Sequence, residues 1–410
     1  MDTNVESHRT ASVNLTVLRA DGDPLVDQEL VVEQVRHKFL FGTAAFDLVP
    51  LANGEFRGLA LDQAEERAKK LTELFNAATL PFYWARFEPQ RGRPRTKELK
   101  KAVEWCRQHS MSVKGHPLCW HTLTADWLLE MDTPEILQAQ TARVTRDVAE
   151  FKGLIEVWDV INEAVIMPVF EKYDNGITRL CREIGRIDTI GAMFAAARRA
   201  NPAAVLLIND FDVSPAYDIL VEGCLQAGIE IDAIGIQSHM HQGYWGVDKT
   251  LGVLDRVTRF GLPIHFTETT LVSGHLMPPE IIDLNDYQVQ DWPTTPEGEE
   301  RQAREAILHY EALFAHPSVE AITWWDFSDG GWLNAPAGLL RKDGSCKPAY
   351  DELLKRIKGD WWTGPLKLVT DRNGHVNFRG FLGDYELTLG DTRREFTLAN
   401  PGVQEVEVIL

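Results

Sequence analysis

Two glutamates, Glu163 and Glu268, each close a short apolar run: Glu156-Val157-Trp158-Asp159-Val160-Ile161-Asn162-Glu163 and Pro263-Ile264-His265-Phe266-Thr267-Glu268. A single glutamate at such a place is most often a solvated or salt-bridged loop residue. Two at matching positions offer a pair of carboxylates converging on one site. Glycosidic bond cleavage needs such a pair, one carboxylic acid to protonate the leaving oxygen and one carboxylate for the oxocarbenium-like centre, about 5 to 5.5 Å apart when configuration is retained. Like charges at close range also raise one pKa, which keeps an acid protonated near neutral pH. A third run, Ala233–Met240, carries Gln237 and His239 at its end. Asn162 can hydrogen-bond a sugar hydroxyl, and His239 can donate to Glu268 and hold it ionised. His116, taken alone, reads equally well as a satisfied structural histidine. The histidines lie on different runs without a third ligand pattern, so neither a metal nor a cofactor is expected.

These residues need a scaffold that aligns strand ends. From residue 37 to residue 358 the chain alternates short β-rich runs with amphipathic stretches, the pattern of parallel strands joined by crossover helices. The predicted strands are His37–Ala45, Phe75–Leu80, Ser112–Trp120, Ile155–Ala164, Ala204–Asp212, Ala233–Met240, Pro263–Leu271 and Ala321–Phe327. Most are near-continuous apolar runs, as strands buried on both faces require. Helices are expected at Asp62–Phe75 and Pro134–Phe151. Eight such pairs predict an α/β fold, a (β/α)8 TIM barrel over 37–358, with its active residues at the C-terminal ends of the strands. A doubly wound open sheet is the alternative, but no GxGxxG follows a strand to support it.

The flanks read as all-β. Residues 11–36 suggest two strands around Asp21-Gly22, and residues 365–410 continue the strand-like pattern. Neither flank can bury a face alone. Residues 1–36 plus 362–410 are therefore expected to form one small discontinuous β-sandwich, similar to transthyretin-like or carboxypeptidase-regulatory-like sandwiches; two independent additions are the alternative.

The composition narrows the partners. The 410 residues carry 42 Lys and Arg against 61 Asp and Glu, a net charge of -19, which disfavours phosphate backbones and makes nucleic acid an unexpected partner. No apolar run is long enough for a membrane span, so no membrane partner is expected. Five scattered cysteines without CxxC spacing suggest reduced thiols. The first residues lack the basic and apolar regions of a signal peptide, the pattern of a cytoplasmic chain or a mature secreted form. Twelve tryptophans suit a site that stacks indoles on sugar rings. Trp105 and Trp158 read rather as core.

Several phrases resemble glycoside hydrolase family 10, the endo-β-1,4-xylanases, over the whole of 37–358. They are Gly115-His116-Pro117-Leu118-Cys119-Trp120-His121, Trp158-Asp159-Val160-Ile161-Asn162-Glu163-Ala164, Gly235-Ile236-Gln237-Ser238-His239, Phe266-Thr267-Glu268 and the segment Ile322–Trp332. The resemblance implies a retaining hydrolase of β-1,4-linked xylan or xylo-oligosaccharides. It makes Glu163 the acid/base and Glu268 the nucleophile. It also assigns His116, Trp120, Asn162, Gln237, His239, Trp325 and Trp332 to a polysaccharide or oligosaccharide substrate. The chain departs from the family where a Glu-Asn pair and a Lys normally grip the glycone sugar. Here the segment is shorter and reads Thr79-Leu80-Pro81-Phe82-Tyr83-Trp84. Leu123 and Thr270 replace a usual Gln and Asp. A retaining β-glycosidase of different sugar specificity is thus the second reading, and a catalytically weak carbohydrate-binding protein the third.

Overall fold

The computed structural model describes residues 3–410. Fifteen strands follow one another: β1 (Thr10–Leu18), β2 (Glu29–His37), β3 (Leu40–Ala44), β4 (Ala77–Pro81), β5 (Ser112–His116), β6 (Val157–Asn162), β7 (Val205–Asp210), β8 (Ala233–Met240), β9 (Ile264–Leu271), β10 (Val319–Trp324), β11 (Leu366–Val369), β12 (His375–Phe381), β13 (Gly383–Leu389), β14 (Thr392–Leu398) and β15 (Gly402–Ile409). Strands β3 to β10 are parallel and close into an eight-stranded barrel in the order β10-β3-β4-β5-β6-β7-β8-β9. Helices fill the connections, giving the (β/α)8 architecture. Parallel direction places all eight C-terminal ends around one mouth.

Burial explains why these runs became strands. β9 is buried along its whole length, as a strand covered by side chains inside and helices outside must be. The helix Leu59–Leu74 turns Ala64, Ala68, Leu71 and Leu74 to the barrel, and Thr133–Glu150 starts at a capping box of Asp132 and Glu135. The strand expected over Ser112–Trp120 stops at His116, because Pro117 has no N–H for the ladder. The last barrel strand begins at Val319, two residues earlier than expected, and ends at Trp324, three residues earlier.

The terminal segments build two further sheets, β12-β1-β15 and β11-β2-β13-β14. β1 and β2, expected side by side around Asp21-Gly22, enter different sheets. Their apolar faces meet in one cluster with Ala11, Val13, Leu15, Val17, Leu30, Val32, Tyr385, Leu387 and Leu398. The N-terminal flank is not wholly β, because Thr3–Arg9 forms a helix. Glu6 in its first turn and Arg9 in its last suit the helix dipole. The Arg9 guanidinium donates to the carbonyls of Phe314, His316 and Val319 at 2.6 to 2.7 Å, tying this segment to the barrel. Residues 1 and 2, the start of the expected accessory segment, lie outside the described residues. No helix among the described residues is long and apolar enough to cross a membrane.

Candidate active site

Glu163 follows directly on β6, and its backbone lies in the left-handed region at φ 59°. A non-glycine residue there carries about 1–3 kcal/mol of strain, tolerated only when the surroundings enforce it. The enforcement is visible: the Glu163 N–H donates to the Asn209 carbonyl on β7 at 2.8 Å. This turn aims the carboxylate into the mouth. Glu268 points into the same mouth from the middle of β9 and is buried.

A polar network joins the two. Asn209 Nδ2 donates to Asn162 Oδ1 at 2.7 Å and to Glu268 Oε1 at 2.9 Å, while its Oδ1 accepts from Thr267 at 2.6 Å. Asn162 Nδ2 donates to Glu163 Oε1 at 3.1 Å; Gln237 Nε2 donates to Asn162 Oδ1 at 3.0 Å and to Glu163 Oε1 at 3.4 Å. Gly235 makes room for this bridge, since a Cβ there would stand 2.4 Å from Asn209 Oδ1. Gly115 does the same for the core, where a Cβ would strike the Trp158 ring at 2.3 Å.

A second chain of charges runs beneath Glu268. Buried Lys114 and His116 Nδ1 lie 2.8 and 2.7 Å from Asp159 Oδ2, and His116 Nε2 lies 3.9 Å from Glu268 Oε1. Burial pushes the Asp159 carboxyl up, but Lys114 and His116 outweigh it and hold the group down at about 2. On the other side His239 Nε2 is 3.1 Å from Glu268 Oε2, and its Nδ1 is 3.3 Å from Thr270 Oγ1. The residue in place of the usual Asp thus still orients this imidazole. Burial pushes Glu268 up; His116, His239 and Lys114 reverse it and leave the carboxyl below its ordinary value.

Glu163 has the opposite balance. Burial pushes its carboxyl up to about 8, against the Trp120 indole N–H and Gln237 and with the help of the negative Glu268 and Asp210. One carboxyl is therefore protonated at neutral pH and its neighbour ionised. Such a divergence is the arrangement that acid and nucleophile roles require.

Aromatic rings wall the mouth. Trp325 packs edge-on to His116 at 5.2 Å and Phe46 at 5.5 Å, Tyr83 lies 5.6 Å from His116 and 5.7 Å from Trp120, and Trp332 lies 4.6 Å from His239. Beside Trp325 opens a cavity of about 250 Å³ lined by Phe46, Asp47, Arg67, Trp325, Asp326 and Asp329 among others. All nine residues singled out from the sequence gather here: Glu163, Glu268, His116, Trp120, Asn162, Gln237, His239, Trp325 and Trp332. Trp158 is core, as its sequence context suggested. Of the residues in the shortened segment, Phe82 turns into the core against Phe87 and Trp158, and Tyr83 faces the mouth. Sequence reasoning missed Asn209, Lys114 and Asp159. The signal for Asn209 was present, because β7 closes on Asn209-Asp210 much as β6 closes on Asn162-Glu163. Lys114 in a buried run called for an anionic partner. Among the described residues no set of three or more His, Cys, Asp or Glu side chains is placed to hold a metal ion.

The model of glycosyl hydrolase family 10 matches residues 51–356. The chain is 27% identical over 360 residues to endo-1,4-beta-xylanase C of Paenibacillus barcinonensis, covering 77% of this chain and 32% of that one. It is 26% identical over 407 residues to the anti-sigma-I factor RsgI6 of Acetivibrio thermocellus, covering 95% and 46%. The first curated relatives are thus more than twice as long as the part this chain spans. Among solved structures, xylanase 10B from Thermotoga petrophila in complex with xylobiose superposes with a TM-score of 0.62 at 23% identity, covering 78% of this chain and 95% of that one. A family 10 structure from Paenibacillus barcinonensis gives 0.65 at 23%, with the same coverage. At this identity the superpositions speak for the fold.

Proposed function

The chain belongs to glycosyl hydrolase family 10, and from that premise we propose that it hydrolyses β-1,4-linked xylan or xylo-oligosaccharides with retention, by double displacement. The observation that carries the reading is the divergence of the two carboxyls, Glu163 held protonated up to about 8 and Glu268 held ionised, within one hydrogen-bonded mouth. In this mechanism Glu163 gives its proton to the glycosidic oxygen as the bond to the anomeric carbon breaks. Glu268 attacks that carbon and forms a glycosyl ester, with Asn162 positioned to hydrogen-bond a sugar hydroxyl. Glu163, now ionised, takes a proton from water, which attacks the ester and frees Glu268. The Asn209 bridge and the His116 and His239 contacts hold Glu268 in place, so little reorganisation accompanies the charge movement.

A second reading keeps the chemistry and changes the sugar. Residues 79–84 lack the Glu-Asn pair and Lys of the family pattern, Tyr83 and Phe46 line the mouth instead, and sugar hydroxyls left without partners disfavour the wrong glycone by about 1–3 kcal/mol each. The test is hydrolysis of xylans, β-glucans and aryl β-glycosides by wild type and Glu268→Ala, with the anomer of the first product followed by NMR. β-Anomeric xylo-oligosaccharides from wild type alone support the proposal. Activity restricted to another glycoside moves the specificity, and binding without turnover favours a carbohydrate-binding protein.

A further inference from the structure

The connection between β9 and the helix Pro296–Phe314 covers residues 272–295, well beyond the few residues that ordinary connections need. Its base is anchored. Val272, Met277 and Trp292 bury themselves with Ala335 and Ala337 from the segment after β10. Met277 N–H donates to the His241 carbonyl at 2.9 Å, and the Gln242 amide donates to the carbonyls of Pro278 and Ile281 at 2.9 and 2.8 Å.

The tip of this segment leaves the rim. Asn285 Oδ1 accepts from Trp332 Nε1 at 3.2 Å, while the neighbouring Asp286 and Asp283 each lie 2.6 Å from Lys172 Nζ. Trp332 belongs to the loop after β10 and Lys172 to the loop after β6. In the closed strand order β10 and β6 are four strands apart in either direction, so they stand diametrically opposite. Residues 283–286 thus link two loops that rise from opposite strands. The Trp332 end of this link stands next to the catalytic machinery: the Trp332 ring is 4.6 Å from His239, which reaches Glu268 at 3.1 Å. On the far side Tyr173 stacks edge-on to Phe170, and Phe170 lies 4.4 Å from His121, itself 4.0 Å from Glu163.

We infer that residues 282–286 form a strap over the cleft which admits a glycan by its end, so that short oligosaccharides and chain termini are substrates and internal bonds of a long polymer are not. The inference rests on the glycosidase reading above. An internal bond reaches the carboxylates only if the chain is laid across the mouth from solvent with both arms extending outward, and the strap stands in that path. A free end, or a short oligosaccharide, passes beneath it. The buried base fixes where the strap springs from, and the two half-exposed Lys172 pairs hold its tip over the cleft, each contributing little alone.

The experiment compares a soluble xylan with an aryl β-xylobioside, using wild type and Lys172→Glu, which sets a carboxylate against Asp283 and Asp286 and does not touch the reacting groups. Wild type is expected to release short products from xylan with little loss of viscosity. Lys172→Glu should raise the polymer-to-aryl ratio of kcat/KM by about fivefold, the scale of exposed ion pairs, with the aryl rate unchanged. A wild type that collapses xylan viscosity while few ends are released, or a ratio unmoved by Lys172→Glu, overturns the strap while leaving the glycosidase reading intact. If no glycoside is hydrolysed, the glycosidase reading falls. Calorimetry then decides the strap: tighter xylan binding by Lys172→Glu with xylobiose binding unchanged supports it, and equal xylan binding overturns it.

Discussion

The barrel mouth and the terminal sheets are both well buried, yet they are filled with opposite kinds of side chain. Around the mouth Lys114, His116, Asp159, Asn162, Asn209, Gln237 and Glu268 are withdrawn from solvent and tied to one another by ion pairs and hydrogen bonds. Between the terminal sheets Val13, Leu15, Val17, Leu30, Val32, Leu387 and Leu398 make an apolar core, with the Tyr385 hydroxyl donating to the Phe381 carbonyl at 2.6 Å. Each fully buried aliphatic side chain contributes about 1.5–3 kcal/mol, whereas a buried ion pair often fails to recover its desolvation cost. The mouth is therefore a region the rest of the molecule must hold in shape. We propose that the terminal segments form one unit that braces the barrel; Arg9 at the carbonyls of Phe314, His316 and Val319, and the Phe381 ring 6.3 Å from that of Phe314, are the contacts through which it acts.

Deleting residues 362–410 tests that contrast most severely. It strips β1 and β2 of their partners β12, β15, β11 and β13, and should leave an insoluble or strongly destabilised chain; a soluble truncation with full activity would refute the shared unit. At the mouth, Glu268→Ala should lower kcat on an aryl β-glycoside on the order of 10⁴- to 10⁶-fold while the thermal midpoint holds or rises. A collapse of the midpoint would mean that the mouth carries stability after all. Glu163→Gln should cost about 10²- to 10⁴-fold on oligosaccharides, less on an aryl glycoside whose leaving group needs no proton. The alkaline limb of the wild-type pH–rate profile, set near 8 by Glu163, should vanish in this variant. In the sheets Leu387→Ala should destabilise by about 2–5 kcal/mol, read from urea melts, with the rate per folded molecule unchanged.

The smallest effect is a pH dependence of stability. Burial raises Glu163 from the ordinary 4.5 to about 8, so the folded chain holds a proton that the unfolded chain has lost. The benefit is complete below about 4.5 and disappears as pH rises through about 8. Glu163→Gln should accordingly gain on the order of 1–3 kcal/mol over wild type between pH 5 and pH 9, and equal pH slopes for the two proteins would remove the assigned shift.

Much of this molecule was legible before any coordinates. Apolar runs bounded by polar residues located all eight barrel strands, because a strand covered on both faces has almost no choice of side chain. The same reasoning found Glu163, Glu268, Gln237 and His239, since a polar residue within or just after an apolar run has few places to go except the mouth. It passed over Asn209, whose importance lies in reaching Asn162 and Glu268 at once, a property of neighbouring strands. The helix Thr3–Arg9 escaped notice because seven residues are too few for a convincing period.

What the sequence determined by itself was the alternation of elements, the polar closures of the strands and the family phrases, all written in side-chain type and spacing along one strand or one helix. The tertiary structure decided the rest. It set which carboxyl is protonated, through desolvation and the side on which His116, His239 and Asp210 fall. It sent β1 and β2 into opposite sheets, through pairing with strands more than 300 residues away. It also brought Asn285 and Asp286 to partners on opposite sides of the barrel. Each of these depends on distances between residues far apart in the chain, and such distances exist only once the barrel has closed.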